Sequence, residues 1–176
     1  MANARDKTVL VVDDEPNIRQ YLKAILEDAE FNVLTAADGV EALQIVKQRR
    51  PDFISLDLIM PRKSGHKLLF ELKRDRELSR IPVLVVTAHA QDDLGKGDLD
   101  DLLKNRIMSG PETYLEKPVD PRAYLRCIQR TLDVEESPEA AEGLTLREEL
   151  QMRMRDASPN ALRQAVEVLR SRKGRE

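Results

Sequence analysis

FISLDLIMP, residues 53–61, is a nearly unbroken apolar run that contains one ionisable side chain, Asp57. A buried strand excludes an unpaired carboxylate, because burying the charge is costly or forces its protonation. Asp57 stands where the strand is about to end, so its carboxylate leaves the core and meets partners at the rim. The run therefore predicts a buried strand that places a carboxylate at the edge of a sheet.

Apolar runs of this kind alternate with helical patterns through residues 5–133. The other strand-like runs are TVLVV (8–12), FNVLTA (31–36), IPVLVVTA (81–88) and a short run within TYLEKP (113–118). Apolar residues at helical spacing predict helices over residues 16–29, 37–50, 65–75, 98–108 and 120–132, with Val40, Leu43 and Val46 on one face of the second. Five strands alternating with five helices indicate one α/β domain, whose parallel sheet is covered on both faces.

Composition limits the class of protein. The 176 residues are 41% hydrophobic and 35% charged, with a formal net charge of −3, so nucleic acid is an unlikely partner. The single cysteine, Cys127, excludes an internal disulfide. No signal-peptide pattern and no apolar stretch of ~20 residues is present, so we expect a cytoplasmic protein with no membrane partner.

A short tail follows the predicted domain. Residues 134–143, VEESPEAAEG, are acidic and contain proline and glycine, which is typical of a linker. Beyond them, Thr145-x-x-Glu148 matches a capping box and Ser158-Pro159 predicts the start of a second helix. We expect an amphipathic helical hairpin over residues 144–174. It is too small to hold a core alone, so its apolar stripe of Leu146, Leu150 and Met154 should cover another surface.

Polar side chains follow four of the predicted strands, in the order Asp13-Asp14, Asp57, Thr87 and Lys117. The carboxyl ends of parallel strands share one edge of the sheet, so these side chains should converge there. Three carboxylates repel one another unless a cation neutralises them, and oxygen ligands without imidazole or thiolate favour Mg²⁺. A carboxylate beside Mg²⁺ can attack a phosphoryl group, while Lys117 and the Thr87 hydroxyl bind its other oxygens.

The motifs VVDDEP, SLDLIMPRKSG, VLVVTA and YLEKP, in that order, resemble those of a response-regulator receiver domain of two-component signalling. The resemblance implies a doubly wound, CheY-like sheet with strand order 2-1-3-4-5. It also implies a sensor histidine kinase or a phosphotransfer protein as the phosphoryl donor. The segment HAQDDLGKGDLDD (89–101) makes the stretch between Thr87 and Lys117 longer than is usual in receivers. This segment is either a solvated loop or a partner-selecting loop.

The same resemblance implies a role for each residue of the cluster. Asp57 is the phosphorylation site; Asp14, Asp57 and the backbone carbonyl of Ile59 ligate Mg²⁺, and Asp13 acts directly or through water. Thr87 is the switch hydroxyl, Tyr114 the aromatic switch, and Lys117 the phosphoryl-binding lysine, joined to Pro118 by a cis peptide bond.

The output of the protein is less constrained by its sequence. The reading that we favour is a receiver that signals by phosphorylation-dependent protein contact, with the tail serving dimerisation or partner docking. A small transcription factor that binds DNA through the tail is an alternative. A third, a Mg²⁺-dependent phosphatase with Asp57 as nucleophile, is disfavoured because Ile59 stands where a general acid would be needed.

Overall fold

The structure, a computed structural model, describes residues 2–60, 65–87, 114–135, 137–155 and 157–172. Within these ranges the strands are β1 (Thr8–Val12), β2 (Asn32–Ala36), β3 (Phe53–Leu56), β4 (Val83–Thr87) and β5 (Tyr114–Glu116). They form one parallel sheet in the order β2-β1-β3-β4-β5. The predicted fold class and strand order are confirmed.

Six α-helices accompany the sheet within the described ranges: α1 (Pro16–Asp28), α2 (Gly39–Arg49), α3 (Gly65–Arg74), α4 (Pro121–Leu132), α5 (Pro138–Arg155) and α6 (Pro159–Arg172). Short 3-10 turns occupy Ala4–Asp6 and Leu78–Arg80. The predicted helix over residues 98–108 and the segment 89–101 lie outside the described residues. None of the helices described is long and apolar enough to cross a membrane.

Local sequence explains where two of these helices begin. The carboxylate of Asp38 accepts hydrogen bonds from the amides of Val40 and Glu41, and Asp120 accepts one from the Ala123 amide at 2.7 Å. Aspartate at this position satisfies amides that have no partner within the helix. Because β1, β3 and β5 are each followed by a turn and a helix, the turns all lie at the carboxyl edge of the sheet.

Alternate residues of each strand pack into two separate apolar layers. One layer joins the sheet to α1 and α4 and the other joins it to α2 and α3. Val9, Val11 and Phe53 belong to the first layer, and Leu10 and Ile54 belong to the second. A sheet covered on both faces accounts for the continuous apolar runs of its strands.

Of the apolar face predicted for α2, Val46 and Leu43 face the core but Val40 does not. Val40 is 49% exposed, while Ala42 and Val46 are buried together with Gly39. The cap at Asp38 sets the rotational phase of α2, and residues 39, 42 and 46 then share the inward face of a helix with 3.6 residues per turn.

The tail helix α5 begins earlier than predicted. It starts at Pro138, inside the predicted linker, with the Ser137 hydroxyl accepting from the Ala140 amide at 3.1 Å. The predicted start at Thr145 was therefore wrong, because Ser137-Pro138 supplies a cap and a first-turn proline several residues earlier. Thr145 instead donates to the Ala141 carbonyl within the helix. The division into domain, linker and tail remains a prediction.

The edge of α5 that packs against the rest of the chain is not its predicted apolar stripe, so the surface that the stripe covers stays a prediction. Leu146, Leu150 and Met154 are exposed, whereas Ala140 and Leu144 are buried in the layer that contains α1 and α4. Two ion pairs select this orientation of the helix. Arg147 binds Asp28 at the end of α1, and Arg122 at the start of α4 binds Glu148 at 2.6 Å.

α5 runs antiparallel to α1, toward the carboxyl edge of the sheet. Its first half lies against Asp28, and further along Gln151 donates to the Tyr21 hydroxyl at 3.4 Å. Its last turn borders a groove of about 580 Å³ whose other wall is residues 118–121. α6 then begins at Pro159, where the Ser158 hydroxyl accepts from the Ala161 amide, which confirms the predicted cap.

Candidate functional site

Two neighbouring strands end in buried carboxylates. Asp13 follows β1 and Asp57 follows β3; their residues are 1% and 4% exposed. The Asp57 amide donates to the Val12 carbonyl at 2.9 Å, so the parallel ladder continues past the last paired residues, Val12 and Leu56. The sheet therefore brings the two carboxylates side by side, as the sequence predicts.

The two carboxylates are held in the same way. One oxygen of each, Oδ1, accepts a hydrogen bond from the amide two residues later: Glu15 for Asp13 and Ile59 for Asp57, both at 2.9 Å. Such a bond fixes the side chain to its own turn. The second oxygen, Oδ2, is left to point into the space that the two residues share.

Lys117 fills that shared space with a positive charge. Its Nζ lies 2.7 Å from Asp57 Oδ2, 2.9 Å from Asp13 Oδ2 and 3.5 Å from a carboxylate oxygen of Glu15. Its side chain is 11% exposed, which makes these ion pairs stronger than surface pairs. The peptide bond between Lys117 and Pro118 is cis, as the sequence resemblance implied.

The electrostatic balance follows from burial and charge. Burial raises the pKa of Asp13, and the Lys117 ammonium and the Glu15 amide offset only part of that rise. Burial alone would lower the pKa of Lys117, but the adjacent carboxylates of Asp57 and Asp13 outweigh burial and raise it. Lys117 therefore stays protonated, and its single ammonium group pairs with two buried carboxyl groups.

Three of these acidic side chains could also hold a metal ion. Asp13, Asp14 and Asp57 each offer a carboxylate oxygen, and these oxygens lie within 4.8 Å of one another. Asp13 Oδ2 is buried without a hydrogen bond, since Lys117 approaches it outside hydrogen-bonding alignment. A hard divalent cation fits both the all-oxygen set and the buried oxygen without a hydrogen bond.

The remaining predicted site residues lie on or just after strands β3, β4 and β5. Thr87 ends β4 opposite Glu116, the residue before Lys117, but its side chain lies outside what the structure describes. Tyr114 pairs with Val85 and is 41% exposed. Ile59 holds Asp57 through its amide, and its side chain is 44% exposed.

Two contributing residues were not found from the sequence. Gly65 packs so closely under the site that a Cβ there would lie 2.2 Å from the Asp57 carbonyl oxygen and 2.6 Å from the Leu58 Cα. Arg19 donates to the Asp13 carbonyl oxygen at 2.5 Å and ties α1 to the turn after β1. In the sequence, the position of Gly65 just before a predicted helix could have indicated a close contact. Nothing in the local sequence distinguishes Arg19 from an exposed arginine in the first turn of a helix.

Comparison with known proteins gives the family. The model of the response regulator receiver domain matches residues 9–129. The chain belongs to the response-regulator receiver family. It is a receiver domain of two-component signalling with a helical extension, α5 and α6.

Individual relatives agree with this assignment. The receiver is 34% identical over 124 residues to Protein PilH of Pseudomonas aeruginosa, an alignment that covers 70% of this chain and 96% of that protein. It resembles the solved structure of chemotaxis response regulator CheY4 of Vibrio cholerae at a TM-score of 0.58 and 31% identity, covering 70% of this chain and 97% of CheY4.

A third relative is the receiver domain of sensor histidine kinase PA1611 from Pseudomonas aeruginosa PAO1. Its TM-score is 0.59 at 26% identity, covering 73% of this chain and 97% of that one, and its structure has a magnesium ion coordinated in the active site cleft. The receiver also matches several transcriptional regulators, of which it spans about half the length. Two of the similar solved structures are receiver domains of histidine kinases.

Proposed function

We propose that this receiver accepts a phosphoryl group on Asp57 in the presence of Mg²⁺ and signals by phosphorylation-dependent contact with another protein or by dimerisation. The observation that supports this most directly is the position of Lys117, whose ammonium lies against Asp57 Oδ2 and Asp13 Oδ2 at once. A cation in this place neutralises charge on a phosphoryl group attached to Asp57.

The transfer step is an in-line displacement at phosphorus. A carboxylate oxygen of Asp57 forms the new O–P bond while the P–N bond to a donor imidazole breaks. The electron pair of that bond returns to the imidazole nitrogen. The donor class, a sensor histidine kinase or a phosphotransfer protein, is the one that the family implies. Asp57 is held for the attack by the Ile59 amide, and Lys117 receives the charge that accumulates on the phosphoryl oxygens.

Asp13, Asp14, Asp57 and the backbone carbonyl of Ile59 would hold Mg²⁺. When bound, the ion neutralises the carboxylates and the phosphoryl oxygens. The buried Asp13 oxygen without a hydrogen bond supports this ligand set, as does the magnesium ion in the PA1611 receiver.

Transmission of the signal is assigned to Thr87 and Tyr114. Thr87 would donate its hydroxyl to the phosphoryl group, and the half-exposed Tyr114 ring would change its packing in response. Both residues lie on paired strands, β4 and β5, so a movement at one strand end is passed directly to the next. Moving a population from 1:99 to 99:1 needs ~5.5 kcal/mol, which a doubly charged group bound by two cations can supply.

The test is phosphorylation by acetyl phosphate with Mg²⁺, followed by intact mass under conditions that preserve acyl phosphates. We expect one phosphoryl group on the wild-type chain and none on Asp57→Asn. Asp52→Asn is the matched control: Asp52 lies just before β3, at the opposite edge, and accepts a hydrogen bond from the Thr8 amide at 2.8 Å. Normal phosphorylation of Asp57→Asn would refute the assignment.

A further inference from the structure

The exposed side of α5 carries an apolar stripe that the described part of the chain leaves open to solvent. Leu146, Leu150 and Met154 are 57%, 46% and 46% exposed. Residues four apart on a helix lie above one another, so the three side chains form one continuous stripe along the helix. The edge that docks on the receiver is a different one, made by Ala140, Leu144 and their neighbours.

This stripe is well placed for an interface. It lies about a quarter turn from the docked edge, because successive helical residues are ~100° apart. The docked edge is anchored through Arg147 to Asp28, so the helix cannot roll to bury the stripe without breaking that contact. Exposed apolar side chains that form a continuous patch mark a site of association.

The stripe can pack against the same stripe of a second copy whose helix runs in the opposite direction. Leu146 and Met154 stand four residues before and after Leu150, and Glu149 and Arg153 lie together on one flank of the stripe. If a second α5 is laid antiparallel with Leu150 opposite Leu150, each Leu146 meets the other copy's Met154. Each Glu149 then comes next to the other copy's Arg153. A two-fold axis keeps these charges on the same side of the helix pair.

We propose that the stripe of Leu146, Leu150 and Met154 is an antiparallel homodimer interface, flanked by two reciprocal pairs of Glu149 and Arg153. Within one chain these two charges already pair at 2.5 Å while 52% and 77% exposed, so they are free to exchange partners at little cost. The interface shares no side chain with the phosphoryl site and does not depend on the function proposed above.

The interface is small, one face of a helix from each copy. It falls below the ~1,200–2,000 Å² of a standard stable interface, so we expect a dissociation constant on the order of 10–100 µM. The molar mass should therefore rise with concentration toward that of a dimer.

The experiment is sedimentation equilibrium of the full chain between about 1 and 500 µM, a range that brackets the expected constant. Leu150→Glu, which sets two like charges face to face, should remain monomeric throughout. Met152→Glu is the control: Met152 is 71% exposed but projects from the other side of α5, so this variant should associate like the wild type. A wild-type chain that is monomeric throughout, or Leu150→Glu that associates normally, would overturn the proposal.

Charge reversal tests the antiparallel arrangement. Glu149→Arg and Arg153→Glu should each raise the dissociation constant several-fold, and the double variant should restore it. Failure of the double variant to recover would exclude this pairing. Asp57→Asn should associate like the wild type, so loss of phosphorylation and loss of the dimer are separable results.

Discussion

Lys117 and Asp57 form an ion pair at 2.7 Å across 60 residues of sequence. They follow β5 and β3, which are not neighbours in the sheet, because β4 lies between them. The lysine side chain therefore reaches past the end of β4 to join the outer strand to the centre. Its position couples the strand that bears Tyr114 to the carboxylate of Asp57.

Removing that charge should destabilise the receiver most when divalent cations are absent. We expect Lys117→Met to lower the free energy of unfolding by about 3–5 kcal/mol in EDTA, because Asp13 and Asp57 lose their shared cation. Mg²⁺ should stabilise this variant more than the wild type. Urea titrations with and without Mg²⁺ measure both effects. Lys23→Met is the control, since Lys23 pairs with Glu27 at the surface, and it should stay within about 0.5 kcal/mol of the wild type.

Gly65 should tolerate no side chain. Its Cβ would lie 2.2 Å from the Asp57 carbonyl oxygen, so Gly65→Ala must displace the backbone that presents Asp57. We expect a loss of stability and a fall in acetyl phosphate labelling of at least tenfold. Gly143→Ala is the matched control: its nearest contact would be Asp28 at 3.5 Å, and alanine favours the helix by about 1 kcal/mol. Equal behaviour of the two variants would contradict the close approach at Gly65.

Leu144 should matter far more than Leu146, although they are two residues apart on one helix. Leu144 is 3% exposed and Leu146 is 57% exposed. We expect Leu144→Ala to cost about 2–4 kcal/mol and Leu146→Ala to cost less than about 0.5 kcal/mol at concentrations where the chain is monomeric. Chemical unfolding of both variants at low concentration makes the comparison. A larger effect of Leu146 would reverse our assignment of the docked edge.

Asp75 should contribute to the acid sensitivity of the turn after α3. Its carboxylate accepts from the Leu78 and Glu77 amides, which lowers its pKa. A lowered folded pKa means that the contribution to stability is present above the unfolded value of 3.8 and is lost as pH falls through the folded pKa. Asp75→Asn should therefore flatten the acid limb of the stability–pH curve, measured by urea unfolding at a series of pH values, and an unchanged acid limb would contradict this role.

Thr87→Ala should separate phosphorylation from its consequence. We expect this variant to accept a phosphoryl group from acetyl phosphate yet to show a smaller change in hydrogen exchange at residues 114–116 on addition of beryllofluoride. Serine at this position retains the hydroxyl, so Thr87→Ser should show the same change in hydrogen exchange as the wild type. An undiminished response in Thr87→Ala would refute the switch role.

Most of the fold was predictable because each strand carries its own signal. The run ending at Asp57 and the run ending at Asp13 are almost continuously apolar, and a sheet covered on both faces is the arrangement that accepts them. The clustering of the carboxylates and Lys117 followed from the parallel direction of their strands alone. What remained hidden were contacts that depend on the exact approach of two elements, such as Gly65 beneath the Asp57 carbonyl.

The tail was predicted less well because its pattern permits two orientations. Leu146, Leu150 and Met154 make the more obvious apolar stripe, yet Ala140 and Leu144 face the receiver. Ion pairs of Arg147 and Arg122 with partners far away in sequence decide between the two orientations, and their partners were not apparent from the local pattern.

The burial of Leu144 has a practical consequence for the choice of fragment boundaries. The family match ends at residue 129, but the apolar layer over α1 continues through Val134 and Ala140 to Leu144, and it also includes Ala4 near the other end. A fragment limited to the residues that match the family would lack these residues and would expose the apolar layer to water. A minimal fragment for crystallisation or expression should run from the first residues to the end of α5.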